Sequence, residues 1–255
     1  MLIRTAFALA LALACAGVAA QDGGISWTTG IEYSSGDYGG SDDIEDIYVP
    51  VTARIDFERL SMELTVPYLS VRAPSGTTVT DPGSEPVTGT GDMTTESGLG
   101  DIIAGATLYD VFYSADLNLA LDLTGKIKFG TADEEKGLGT GEQDYTVRAD
   151  LIKFYDRVML LASLGYKFRG EPKGYEIDDV MLGSVGGVYA LSDRTRLGFY
   201  YDYRESALAD SDALAEFSGF MSRRLGEKLQ IQFYAFSGFS NSSPDWGTGL
   251  LFQVL

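Results

Sequence analysis

Apolar and polar side chains alternate along most of the chain. In the stretch DLNLALDLTGKIKFGT (116–131), every second residue from Leu117 to Phe129 is apolar or glycine, whereas Asp122, Lys126 and Lys128 lie between them. Alternation with a period of two is typical of a β-strand with one face in an apolar medium and the other in a polar one. The same pattern predicts twelve strands, at 25–33, 47–57, 60–68, 98–109, 116–131, 144–152, 158–168, 180–191, 195–203, 213–223, 229–239 and 246–255.

The links between these strands alternate in length. Short links, at 58–59, 110–115, 155–157, 192–194 and 225–228, are interleaved with long ones, at 34–46, 69–97, 130–143, 169–179, 204–212 and 240–245. Short turns at one end and long loops at the other are typical of an outer-membrane barrel, and strands of about nine to eleven residues are long enough to cross the hydrocarbon layer. The chain is therefore predicted to be all-β, a transmembrane up-and-down antiparallel β-barrel of about 12 strands.

A soluble β-sandwich would also show apolar alternation, so the positions of aromatic and charged residues have to decide. Aromatic residues fall near both ends of the predicted strands, as Trp27 and Phe57 do at the short turns and Tyr68 and Tyr201 do at the long loops. Two aromatic belts around an aliphatic band are expected where rings lie at both membrane interfaces. This favours the membrane barrel over the sandwich.

The first twenty residues, MLIRTAFALALALACAGVAA, have the form of a secretory signal peptide. Arg4 precedes a short apolar stretch, and small residues stand before a polar mature start at Gln21. We therefore expect cleavage after Ala20, a signal peptide at 1–20 and a barrel at 21–255 in the bacterial outer membrane. No later apolar run is long enough for a transmembrane helix.

Composition excludes several classes of function. The chain of 255 residues carries a formal charge of −18, which argues against nucleic acid as a partner. It has no histidine, and its single cysteine, Cys15, lies in the signal. Histidine-based triads and the usual zinc sites are therefore excluded, and we expect neither enzymatic activity nor a cofactor.

The polar face of the predicted strands supplies the candidate functional residues. Both signs of charge occur there, so the lumen could form a narrow solute path or be closed by its own salt bridges. Long outer loops, especially 69–97, could also fold inward as a constriction. The candidate lumen residues are Glu63, Asp101, Asn118, Asp122, Lys126, Lys128, Arg148, Asp150, Lys167, Arg196, Asp202 and Arg224.

The acidic segment SDDIED (41–46) is a weak candidate for a cation site. Asp42, Asp43, Glu45 and Asp46 supply the hard oxygen ligands that Ca²⁺ prefers, but they lack the spacing of a defined calcium loop. A solvated loop, bridged by divalent ions to lipopolysaccharide, is the favoured interpretation, and no metal is predicted. The expected partners are thus outer-membrane lipid, lipopolysaccharide and a small-molecule solute, and the oligomeric state is left open.

Two motifs resemble those of a known family. SGLGDIIAGATLY (97–109) and KFGTADEEKGLGTGEQDYTVRADL (128–151) are similar to the Ser-Gly-Leu-Gly-Asp strand opening, lysine-containing strand and glycine-rich outer loop of the outer-membrane transporter family linked to the meta-pathway of phenol degradation. The resemblance implies passage of small aromatic or hydrophobic compounds across the outer membrane. The alternative is a non-transporting structural or surface-binding barrel that acts through its acidic extracellular loops.

Overall fold

The structure is a computed structural model that describes residues 24–81, 84–209 and 211–255. The predicted signal peptide lies outside the described residues, so its cleavage after Ala20 stays a prediction. Within the described ranges, no helix is long and apolar enough to cross a membrane. The strands are β1 (Ile25–Gly36), β2 (Ile44–Asp56), β3 (Leu60–Pro74), β4 (Met93–Leu99), β5 (Ile103–Ser114), β6 (Leu119–Lys128), β7 (Asp144–Tyr155), β8 (Val158–Phe168), β9 (Val180–Ser192), β10 (Thr195–Arg204), β11 (Leu214–Leu225), β12 (Leu229–Gly238) and β13 (Trp246–Val254).

The strands form one closed antiparallel sheet. Apart from β4 and β5, which do not pair with each other, each strand pairs with its neighbours in the sequence, and β1 pairs with both β2 and β13, which closes the barrel. Strands β4 and β5 both pair with β3. Strand β4 pairs with its loop-end half, 68–74, and β5 with its other half, 60–65, so together they occupy a single place in the wall. The barrel is therefore twelve-stranded, and the predicted fold is confirmed.

The wall is interrupted between β4 and β5, where the sequence predicted one continuous strand. The Gly100 amide still donates to the Pro67 carbonyl at 2.9 Å, and the Phe129 amide donates to the Ile102 carbonyl at 2.8 Å. Between these two bonds the backbone leaves the ladder. The interruption turns the Asp101 carboxylate toward Thr131 and Ala132, whose backbone amides donate to it at 2.9 Å each.

The turn expected at 110–115 is wrong, because β5 continues to Ser114 and the turn lies at 115–118. A β-bulge with two extra residues in β5 explains the difference. Between the pairs Leu108 with Leu123 and Phe112 with Leu121, three residues face one. The Asp110 amide donates to the Asp122 carboxylate at 2.9 Å, and Asp110 has a φ of 50°. Asp110, the first residue of the segment predicted as a turn, therefore belongs to the bulge.

Side chains alternate between the barrel interior and the outer surface along every long strand. The outward residues are mostly large and apolar, although they stay exposed in the isolated molecule, as expected for a face that contacts lipid. Exposed aromatic rings occur at both ends, with Trp27 and Tyr155 near the short turns and Tyr68 and Tyr203 near the long loops. The two predicted aromatic belts are thus present.

Candidate permeation path

The barrel interior receives eleven of the twelve predicted lumen side chains. Ten lie at inward positions of the strands, and Asp101 reaches the interior from the interruption between β4 and β5. Asn118 is the exception, because it lies in the exposed turn at 115–118 with a φ of 46°. The predicted lumen position of Asn118 is wrong, because β6 begins at Leu119 and the alternation does not extend into the turn.

One wall of the interior, formed by β2 to β8, carries most of the charge. Lys126 on β6 contacts Glu63 on β3 across the intervening β5, with Nζ and Oε1 2.8 Å apart. On β7, the Arg148 Nε donates to the Asp150 carboxylate at 2.9 Å, and the Ser163 hydroxyl donates to the same carboxylate at 2.7 Å. Four of the predicted acids and bases thus form two pairs on this wall.

A second group of charges, which we call the outer cluster, lies at the loop end of this wall. Its members are three bases and three acids: Lys128, Lys167, Arg169, Asp81, Asp101 and Asp144. The Lys128 Nζ lies 3.0 Å from Asp101 and 3.3 Å from Asp144, and the Lys167 Nζ lies 2.9 Å from Asp144. Sequence reasoning missed Asp81, Asp144 and Arg169. Asp81 and Arg169 lie in loops that carry no alternation, and Asp144 is the first residue of β7.

The described parts of loop 75–92 extend across the outer end of the barrel. Asp81 pairs with Lys167 on β8, and Glu85 accepts hydrogen bonds from the Ser206 hydroxyl at 2.8 Å and the Ala207 amide at 2.6 Å. The last two residues follow β10, on the side of the barrel opposite β3, where the loop begins. The loop therefore restricts the outer mouth, as the sequence suggested.

Electrostatics stabilise this position of the loop. Burial alone would raise the pKa of the Asp81 carboxyl, but the positive charges of Lys167 and Arg169 outweigh it and hold that pKa well below its usual range. Asp81 is thus ionised at neutral pH. Its contacts with two cations attach the loop to the charged wall.

The opposite wall, formed by β9 to β13, presents aromatic rings to the interior, beside inward charges on β10 and β11 that include Arg196, Asp202 and Arg224. Four rings lie at inward positions: Tyr200, Phe220, Tyr234 and Phe236. They belong to a buried apolar cluster whose other members are Ala120, Ile152, Leu161, Val188 and Leu251. Tyr200 and Phe220 are stacked, with ring centroids 6.0 Å apart and planes within 9°. The sequence missed this aromatic wall because β10 to β12 carry apolar side chains on both faces, so alternation there does not separate lipid from lumen.

The comparisons with known proteins agree with this architecture. Residues 45–254 match the model of a family described as "MetA-pathway of phenol degradation". The chain belongs to this family. The resemblance inferred from the two sequence motifs is therefore confirmed. No curated protein matches the chain in sequence.

Solved structures similar to this family member are outer-membrane barrels. An outer membrane channel from Pseudomonas putida F1 has a TM-score of 0.72 at 15% identity, covering 92% of this chain and 96% of that one. The KdgM porin has a TM-score of 0.57 at 8% identity, with 90% and 98% covered, and the NanC porin has a TM-score of 0.55 at 8% identity, with 91% and 98% covered. At these identities the likeness establishes the fold.

The acidic segment 41–46 does not gather its carboxylates in this family member. Asp42 and Asp43 are exposed, Glu45 lies 3.6 Å from Arg72, and Asp46 points to the barrel interior. Among the described residues, no group of three or more acids, cysteines or histidines is placed to hold a metal ion. Strand β2 separates the acids because it begins at Ile44, so Glu45 and Asp46 lie on opposite faces of the sheet.

Proposed function

We propose that the protein is an outer-membrane channel for diffusion of small aromatic or hydrophobic solutes. The observation that carries the proposal is the two-sided interior: a wall with most of the paired charges faces a wall that presents aromatic rings and fewer charges. Such a lumen contacts both parts of an amphipathic aromatic compound, its polar substituent and its ring. Membership of a family named for phenol degradation supports the same class of solute. The proposal assigns the protein no catalytic step.

The competing function is a non-transporting barrel that acts at the cell surface through its acidic loops, in contact with lipopolysaccharide. A closed interior, which this competing function requires, would contain paired charges such as those of the outer cluster and a loop across the mouth such as loop 75–92. Charge pairing of this kind is also found where a narrow path is lined by side chains, so it does not by itself favour the closed barrel. Transport measurements separate the two functions.

The test uses the refolded mature chain in planar bilayers. A channel gives discrete conductance steps, and the ion selectivity should depend on the pair formed by Glu63 and Lys126, because each neutralises the other at 2.8 Å. Glu63→Gln should shift the reversal potential toward anion selectivity and Lys126→Met toward cation selectivity, and the double variant should return toward the parent. Lys173→Met, in an exposed outer loop, is the matched control.

In cells, a strain lacking the protein should grow more slowly at limiting concentrations of an aromatic carbon source, and growth on acetate should be unchanged. Absence of conductance together with unchanged growth would reject the channel. Loss of envelope integrity on deletion of the acidic loop at 37–43, with normal solute uptake, would instead support the non-transporting barrel.

A further inference from the structure

A groove runs across the lipid-facing surface of the barrel, on the wall formed by β3 and β5 to β9. Its volume is about 680 Å³. Three small residues at outward positions form its floor: Ala106, Gly125 and Ala149. Ala106 is directly opposite Gly125, and a Cβ added to Gly125 would meet nothing within 4 Å. Larger apolar side chains, such as Leu123 and Val147, stand beside the floor.

The dimensions of the groove fit a single hydrocarbon chain. Its lining extends from Leu60 on β3 to Met181 on β9, which is five steps between paired strands, or about 24 Å at about 4.8 Å a step. The mean cross-section is therefore about 28 Å². An α-helix is about 10–12 Å across with its side chains, so it would rest on the edges of the groove. A lipid acyl chain, whose carbons pack at about 3.5–4.0 Å from their neighbours, enters it.

Close packing explains why a chain would stay in this groove. Burial of an apolar chain against the wall gives no hydrophobic gain in a membrane, because the surrounding lipid is equally apolar. Retention depends instead on van der Waals contacts, which small residues increase because they let a partner approach the backbone closely. A chain at Ala106 and Gly125 contacts the sheet below it as well as the side chains beside it, so it makes more contacts than a chain on a flat part of the wall.

The position of the groove selects one leaflet. Leu60 is the first residue of β3 and directly follows the short turn at 57–59, so this end of the groove lies at the periplasmic interface. Strands of outer-membrane barrels tilt by about 35–45°, and a row at right angles to them therefore covers about 15 Å of membrane depth in about 24 Å of length. That depth is half of a hydrocarbon core of about 30 Å. The groove thus matches the chain of a lipid in the periplasmic leaflet.

Carboxylates at the other end of the groove oppose a lipid from the outer leaflet. The Met181 amide donates to the Glu205 carboxylate at 2.7 Å, and the Tyr166 hydroxyl donates to the Asp179 carboxylate at 3.4 Å. Both acids follow or precede strands at the loop end of the barrel. A chain of lipid A that entered from this side would bring its phosphates toward these negative charges, which repel them.

The periplasmic end of the groove presents both signs of charge. Arg59 directly precedes Leu60, is exposed, and donates from Nη2 to the backbone carbonyls of Tyr109 and Asp110. A guanidinium has five N–H donors in a planar fork, which suits a phosphate. Glu58 is the adjacent exposed acid, and its carboxylate suits an ammonium group. A head group that carries both charges therefore has a partner for each.

From the dimensions, depth and charges of the groove we infer that it binds an acyl chain of one zwitterionic phospholipid from the periplasmic leaflet, with the phosphate at Arg59 and the ammonium group at Glu58. The site lies on the outer surface of the wall and takes no part in the proposed channel, so it stands whether or not the protein conducts. A phospholipid with a net negative head group and lipid A of the outer leaflet are the alternative occupants that the test has to include.

Binding is measured by native mass spectrometry of the refolded mature chain in detergent micelles, titrated with one lipid at a time. The probes are dioleoyl phosphatidylethanolamine, dioleoyl phosphatidylglycerol and hexa-acylated lipid A. The first phosphatidylethanolamine should bind about tenfold more tightly than the second, because only the first enters the groove. Equal affinity of the first and second would overturn a specific site. Tighter binding of phosphatidylglycerol would overturn the zwitterionic head group, and tighter binding of lipid A would overturn the periplasmic leaflet.

Two substitutions fill the groove. Gly125→Leu and Ala106→Leu each place a larger apolar side chain at a lipid-facing position, so the barrel should fold while the first phosphatidylethanolamine binds about tenfold more weakly. Ala235→Leu is the matched control, because Ala235 is an exposed residue of β12 that does not line the groove. Folding of each variant is checked by heat-modifiable electrophoretic mobility. Binding as tight as in the parent in both groove variants, or an equal loss in the control, would reject the site.

A third substitution separates the head group from the chain. Arg59→Gln removes the positive charge and should weaken phosphatidylethanolamine binding about tenfold, whereas binding of dioleoylglycerol, which has the same chains without a phosphate, should not change. Arg194→Gln, at an exposed position of another short turn, is the matched control. Unchanged phosphatidylethanolamine binding in Arg59→Gln, or a parallel loss of dioleoylglycerol binding, would contradict the contact between Arg59 and the phosphate.

Discussion

Replacement of Lys128 by methionine tests whether the outer cluster stabilises the barrel. The Lys128 side chain is 4% exposed, and its Nζ lies 3.0 Å from Asp101, 3.3 Å from Asp144 and 3.3 Å from the Thr140 hydroxyl. The cluster of three bases and three acids is balanced, so the substitution leaves one uncompensated negative charge in a region shielded from water. Methionine is close in length and removes only the ammonium group.

The expected loss in the free energy of unfolding depends on the partners that Asp101 and Asp144 keep. Removal of one partner of a buried ion pair costs about 3–5 kcal/mol. Here Asp144 keeps Lys167 at 2.9 Å, and Asp101 keeps two backbone amide donors at 2.9 Å, so the loss should lie at the low end. We expect the free energy of unfolding to fall by about 3 kcal/mol. Adding Asp101→Asn to Lys128→Met restores the charge balance and should reduce the loss to about 1 kcal/mol.

Unfolding in urea is followed by tryptophan fluorescence of the chain in lipid vesicles, because Trp27 and Trp246 lie on the lipid-facing surface. Lys136→Met, at an exposed loop lysine, is the control and should change the free energy of unfolding by less than about 0.5 kcal/mol. The reasoning is refuted if Lys128→Met behaves like this control, or if the double variant is no more stable than the single one.

Two further predictions concern the outer loop and the membrane interfaces. Asp81→Asn should increase the rate at which proteinase K cuts loop 75–92 in the folded barrel, since it removes the charge that pairs with a lysine and an arginine; Asp92→Asn, at an exposed loop position, should not. Because the pKa of the Asp81 carboxyl is depressed in the folded chain, the protection should persist at about pH 4 and be lost only as the pH falls through that lower value. Lipids brominated near the headgroup should quench Trp27 and Trp246 more strongly than lipids brominated at mid-chain, because the two residues lie at opposite ends of the wall. Stronger quenching by the lipids brominated at mid-chain would contradict the location of Trp27 and Trp246 in aromatic belts at the two membrane interfaces.

The alternation of side chains was sufficient to predict the barrel and most of its charged wall. Each predicted strand overlaps an observed one, and eleven of twelve candidate lumen residues lie inside. The physical reason is that successive residues of a strand face lipid and lumen in turn. Lipid requires apolar side chains and the lumen accepts polar ones, so the two types alternate along the sequence. The exception at Asn118 and the misplaced turn at 110–115 arose where a bulge or a strand end breaks that period.

The aromatic wall and the closure of the outer mouth were decided by the tertiary structure alone. On β12, Gln232 and Tyr234 alternate with Ile231 and Phe233, so the sequence offers apolar residues to both sides, and only the closed sheet shows which rings point inward. The contact of Asp81 with Lys167 joins residues 86 positions apart through a loop. A local pattern specifies the face of a strand, whereas the partner of a loop side chain depends on which strands the barrel brings opposite one another.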